Sequence, residues 1–180
     1  MLKVLKGVKV GAIARLNANQ TVEALPELID VLQDAVDSGA SVGFLPPLST
    51  EEAHSYWQEV IVAIQKQSRI LLVTRQEQVI VGTVQLDLVN KPNGRHRAEV
   101  QKLLVHRRAR RQGLGRALMS AVEAVAREAE RSLLVLDTRE GDPAETLYLA
   151  LGYIKYGTVP QYARSADGSL DDCVFFYRIL

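Results

Sequence analysis

A single cysteine, Cys173, occurs among the 180 residues. No disulfide can form within the chain, which points to a reducing compartment, and the expected location is the cytoplasm. No apolar run approaches the roughly 20 residues that a membrane-spanning helix needs. The opening stretch MLKVLKGVKVGAIARL is broken by lysines, so no long signal-type apolar region forms. It reads as a short lead-in and a first strand. Neither charge is in excess: Lys+Arg is 22 and Asp+Glu is 21. That balance is not the footprint of a dedicated nucleic-acid domain. Gly-Lys followed by Ser or Thr occurs nowhere, which excludes an ATP-type phosphate loop. Internal repeats, low-complexity segments and linkers are also missing. The reading is one domain over residues 1–180.

The residues that are present fold. Apolar side chains make up 47% of the chain, enough for a real core at this length. Residues 8–16 alternate as a strand. Residues 21–38 carry apolar side chains at helical spacing, from Val22 through Leu25, Leu28, Ile29 and Leu32 to Val36. A Gly/Pro-rich loop, GASVGFLPPLS, follows at 39–49. A second helix opens at Ser49 or Thr50. RILLVTR and QVIVGTVQLDLV are two strands joined by a tight turn at Gln76–Gln78, and NKPNG is a second turn. RAEVQKLLV, at 97–105, is the next strand. The cleanest amphipathic helix covers 114–129. SLLVLDT, at 132–138, reads as a strand covered on both faces. Asp142, Pro143 and Glu145 mark a helix start, with Asp142 capping and Glu145 closing the box, and Gly152 marks its stop. YIKYGTV and DCVFFYRIL end the chain as strands. The fold class is α/β, with a mixed sheet.

Between the strand at 97–105 and the helix at 114 lies HRRARRQGLG. Gly113 and Gly115 fall where loop becomes helix. A helix start offers unpaired N–H groups and the positive end of a dipole, and glycine lets an anion approach the backbone. The stretch therefore reads as a pyrophosphate site rimmed by arginines. Arg107–Arg111 as a nucleic-acid patch is the competing reading, but no aromatic residues interleave for base stacking. A dinucleotide fingerprint needs a third glycine that G-L-G-R-A-L lacks.

What remains, Arg110-Arg111-Gln112-Gly113-Leu114-Gly115, resembles the acetyl-CoA pyrophosphate signature of the GCN5-related N-acetyltransferase (GNAT) superfamily. The resemblance implies a central twisted mixed sheet of about seven strands flanked by about four helices, with the fourth and fifth strands parallel and splayed. It implies acetyl-CoA as cosubstrate, held by Leu103, Leu104 and Val105 along the strand and by Arg110 through Arg116 in the signature. It implies a tyrosine near the CoA sulfur, and Tyr148 in AETLYLALGY matches. Where family members often carry asparagine, three residues before Ala144, this chain has Gly141. From about residue 39 onward, GASVGFL, KPNG, RAEVQKL, LLVLDT and VPQYARSADGSL together look like the tabtoxin-resistance acetyltransferases. Their two active-site carboxylates and tyrosine map onto Glu99, Asp137 and Tyr148. A homodimer is expected from the family alone.

The chemistry asks for such residues. An alkyl ammonium of pKa about 10.4 must lose a proton before it attacks. Glu99 and Asp137, on neighbouring parallel strands, can hold the cation and pass the proton. If they were only surface acids, Arg97 and Lys102 would be their obvious ion-pair partners. A phenol at Tyr148 can protonate the departing thiolate. A backbone N–H near Leu104 would serve the oxyanion. Phe44, in the 39–49 loop, and Tyr162 are expected to wall the acceptor site with Glu99 and Asp137. His54, His96 and His106 show no metal spacing and are expected to be exposed, and no metal is expected. Trp57 and Cys173 are read as core. The expected acceptor is a small-molecule amine, with neither nucleic acid nor membrane as partner. A non-catalytic acyl-CoA sensor and an acetyltransferase for protein or peptide amines are the alternatives.

Overall fold

A computed structural model describes residues 12–180. Seven strands form one sheet in the order β1-β2-β3-β4-β5-β7-β6. They are β1 (Ile13–Leu16), β2 (Arg69–Gln76), β3 (Val79–Leu88), β4 (Arg97–Val105), β5 (Leu133–Arg139), β6 (Ile154–Arg164) and β7 (Leu170–Ile179). Only β4 and β5 are parallel, among the described residues. The mixed sheet, the parallel central pair and the flanking helices are the expected architecture. Residues 8–11 of the expected first strand lie outside the described residues.

The stretch expected as one helix over 21–38 is two: α1 (Ala18–Glu23) and α2 (Leu25–Asp37). Pro26 has no N–H to give to the carbonyl of Val22, so the helix cannot run through. The Val22 carbonyl takes the N–H of Ala24 instead. Asn17 and Gln20 cap α1 reciprocally, at 2.9 Å each way. In α3 (Thr50–Gln65) the cap is Ser49, boxed with Glu52. Glu77 and Gln78 take left-handed φ values of 48° and 71°, the geometry of the tight hairpin turn between β2 and β3.

Two cores result. One lies between the sheet and α1–α3, around fully buried Trp57, Leu28, Leu32 and Leu71. The other lies under α4 (Leu114–Glu128) and α5 (Pro143–Ala150), around Leu118, Met119, Leu134 and Phe176. The sheet is thus covered on both faces, which explains the near-continuous apolar runs of β2, β3 and β5.

α5 begins where expected, but its cap differs. Asp142 makes no side-chain cap bond. Its Oδ1 accepts from Arg139 Nε at 3.1 Å and Nη2 at 2.8 Å, a charge-assisted fork that outcompetes a neutral backbone donor. Glu145 reaches back only to the N–H of Gly141, at 3.0 Å.

Candidate active site

β4 and β5 pair only over Arg97–Glu99 with Leu133–Val135. Beyond that point they diverge, and a cleft opens between them. Its two compartments, of about 540 and 600 Å³, share Ala40, Leu103, Arg139, Asp142 and Ala144, so they are continuous.

The smaller compartment runs to the start of α4. Leu103, Leu104, Val105, Arg110, Arg111, Gly113, Leu114 and Gly115 line it. Leu104 and Leu114 bury their side chains, at 2% and 1% exposure, so only their backbone can serve a ligand. Arg111 and Gly113 are both left-handed, with φ of 61° and 80°, which turns the loop into the helix. The helix's first internal bond runs from Ala117 N to Gly113 O, leaving the N–H groups of Leu114, Gly115 and Arg116 free of helical partners. Gln112 and Arg116 do not line the compartment. Gln112 accepts from Gln76 Nε2 at 2.7 Å and so ties the loop to β2.

The arginine run is not a uniform surface. Buried Asp34 of α2 accepts from the N–H of Arg107 at 2.8 Å and also from its guanidinium. Arg110 donates to Val105 O at 2.9 Å and to Ser38 Oγ at 2.6 Å. His106 lies 3.5 Å from Asp34 and is largely buried rather than exposed as expected; His54 and His96 are exposed. No His/Cys/Asp/Glu group that could hold a metal occurs among the described residues.

The larger compartment brings together Phe44, Glu99, Asp137, Tyr148 and Tyr162. Glu99 pairs with Val135 in the ladder, and Asp137 follows two residues later on the same face of β5. Neither carboxylate forms an ion pair with Arg97 or Lys102 among the described residues. The surface ion-pair reading of these acids therefore lacks its partners. Glu99 accepts from Gln101 Nε2 at 2.8 Å. Tyr148 is 6% exposed and packs against Tyr153 and Phe176. Burial first, then the charges of Asp137 and Asp142, push its phenol well above the ordinary tyrosine range. Its proton therefore stays in place. Tyr162 is exposed and meets Phe175 edge-on at 5.2 Å.

Other lining residues escaped the sequence reading. Cys173 is buried, as expected, yet its Sγ donates toward Asp137 Oδ2 at 3.2 Å and Thr138 O at 3.1 Å. Burial and Asp137 push the thiol up to about 12, so it is no nucleophile. Arg139 ties Asp142, Ser165 and the Gly39 carbonyl together across the cleft. Lys102 lies over the rings of Phe44 and Tyr56, at 6.0 and 5.6 Å.

Residues 33–153 match the acetyltransferase (GNAT) family. This chain belongs to it. The assignment makes the protein an acyltransferase. An uncharacterized N-acetyltransferase of the hisH–hisA intergenic region of Azospirillum brasilense is 37% identical over 118 residues, 64% of this chain and 68% of that protein. The GNAT chain superposes on a ribosomal-protein-alanine N-acetyltransferase from Brucella melitensis with a TM-score of 0.77 at 23% identity, covering 94% of this chain and 99% of that one. A phosphinothricin acetyltransferase from Sinorhizobium meliloti, solved in complex with acetyl-CoA, gives 0.79 at 16% identity over 96% and 89%. At these identities the two structures share the fold.

Proposed function

We propose that the protein transfers an acetyl group from acetyl-CoA to the amine of a small molecule, by direct attack within the cleft. The carrying observation is the junction of its compartments. A loop-to-helix anion site opens into a gap that holds two carboxylates without ion-pair partners among the described residues and a buried tyrosine. The smaller compartment suits CoA: free N–H groups at the start of α4 for phosphate, and apolar walls from Leu103, Ala144 and Leu147 for an alkyl arm.

Glu99 and Asp137 hold the ammonium and take its proton, directly or through water. The neutral amine then forms the new C–N bond as the thioester C–S bond breaks. Tyr148 gives its phenolic proton to the departing sulfur, and the proton that the new amide nitrogen sheds restores the phenol. The finer reading is an amino-acid-like toxin or antibiotic as acceptor, supported by the match of Glu99, Asp137 and Tyr148 to the tabtoxin-resistance pattern. The proposal places the enzyme in the cytoplasm, supported by its one unpaired cysteine. It also takes the enzyme to be a homodimer, supported by apolar side chains such as Tyr156 and Ile154 that β6 leaves exposed.

The test is thiol release from acetyl-CoA with a panel of small amines, tabtoxinine-β-lactam among them. Release with that toxin, lost in Glu99→Gln or Asp137→Asn, supports the finer reading. Release with other amines alone keeps the reaction and removes the toxin. No release from any amine, with acetyl-CoA still bound, counts against the reading.

A further inference from the structure

The acceptor compartment is lined by three acids, Glu99, Asp137 and Asp142, and three bases, Lys102, Arg139 and Arg164. Three of these charges are held by other groups of the protein. Asp142 and Arg139 hold each other, and Arg139 also donates to Ser165 and the Gly39 carbonyl. Arg164 donates to the Gly168 carbonyl at 2.9 Å. Lys102 is different. Among the described residues its ammonium has no hydrogen-bond acceptor and no carboxylate within ion-pair reach; it lies over the faces of two aromatic rings and feels Asp137 and Glu99 only at longer range.

The backbone holds it there. β4 carries a bulge at this point: Gln85 pairs with Gln101 and Thr83 with Leu104, so Val84 alone faces Lys102 and Leu103. Ala98 and Val100 point into the α4 side of the sheet before the bulge, and Leu104 points into the α1–α3 side after it. Lys102 absorbs the shift with a left-handed φ of 49°, a costly conformation for a side chain of this type. Thr83 Oγ donates to its carbonyl at 3.1 Å and fixes the turn. The side chain thereby stays over Phe44 and Tyr56, near Gly43, and inside the compartment.

A half-buried ammonium with three unused donors is costly until something accepts from it. Phe44 and Tyr56 supply only part of that stabilisation. The two acids of the same compartment that have no ion-pair partner among the described residues, Glu99 and Asp137, lie along the strands from it. The site therefore offers negative groups for an amine and, separately, one positive group for an anion.

Resting on the acetyl-transfer reading, we propose that Lys102 is the anion-recognition residue of the acceptor site, and that the acceptor is an amino acid carrying a free carboxylate beside its amine. The ammonium takes the carboxylate while Glu99 and Asp137 take the amine. Simple amines and carboxamides leave Lys102 unanswered and bind worse.

The experiment is calorimetric titration of L-amino acids, each matched with its carboxamide, onto the full chain loaded with CoA, which carries no acetyl group. The wild type is expected to prefer at least one acid over its amide. Lys102→Met should lower that preference roughly ten- to a hundredfold, the range of a hydrogen bond between charged groups. Lys102→Arg should keep part of it. Equal binding of acids and amides, no binding across the panel, or a Lys102→Met variant with unchanged preference would each overturn the assignment. Acetyl transfer is scored separately on the same panel. Carboxylate-dependent binding without turnover would sink the acetyl-transfer reading and leave Lys102 in its role. Turnover indifferent to the carboxylate would do the opposite.

Discussion

Tyr148 is both a core residue and a cleft residue. Its ring packs against Tyr153 and Phe176 while its side chain lines the acceptor compartment. The packing matters to the chemistry, because the same burial that places the ring raises the affinity of the oxygen for its proton. Removing only that oxygen should therefore separate the roles. Tyr148→Phe is expected to lower kcat roughly a hundredfold or more, the usual scale of a general acid. Acetyl-CoA affinity and the thermal midpoint should hardly move. Steady-state kinetics beside equilibrium binding of acetyl-CoA would check this, and an unchanged kcat would remove the proton-donor role. Glu99, Asp137 and Tyr148 were candidates in the sequence through the family resemblance, which matched them position by position. Lys102 was legible only as a surface ion-pair partner, because its importance comes from a bulge that alternation along β4 does not announce.

Elements with strong local signals were readable. β4 at Arg97–Val105 and the start of α4 at Leu114 lie where the residue pattern puts them, since a run of alternating side chains and a pair of glycines are local facts. The break at Ala24 was missed because apolar spacing continues straight through it, although Pro26 carried the signal. The cap of α5 was missed because Asp142 has a better partner, Arg139, on another element. The divergence of β4 from β5 is a property of pairing and has no local signature. The start of α4 also carries a prediction of its own. Gly113 sits at φ 80° with open space around its missing Cβ, so the cost of a side chain there is backbone strain alone. Gly113→Ala should cost about 1–2 kcal/mol of stability. It should also raise the KM for acetyl-CoA several-fold, by tilting the free N–H groups of Leu114 and Gly115. Urea unfolding and acetyl-CoA saturation curves read the two effects. A stable variant with normal KM would take the loop backbone out of the phosphate site.

The whole molecule hides ionisable phenols in both of its cores. Tyr56 donates to Gln85 at 3.1 Å beneath the acceptor compartment, and burial pushes it up to about 12. Tyr148 and Tyr153 are raised further, again chiefly by burial. All three have folded values above their unfolded ones. Their contribution to stability is therefore complete below about pH 10, where the unfolded phenols still hold their protons. Above that pH the unfolded chain releases protons that the folded chain keeps. Each such tyrosine then costs about 1.4 kcal/mol of stability per pH unit until the folded protein ionises as well. Alkaline unfolding should accordingly be steep, since three sites act together across two cores joined by one sheet. Urea titrations at a series of pH values from neutral to about 11 would give the slope. Absorbance of tyrosinate in the folded protein should rise in separate steps, with buried phenols last. If all six tyrosines ionised together near pH 10 without unfolding, burial would not be raising these phenols, and the steep alkaline loss of stability would have no source.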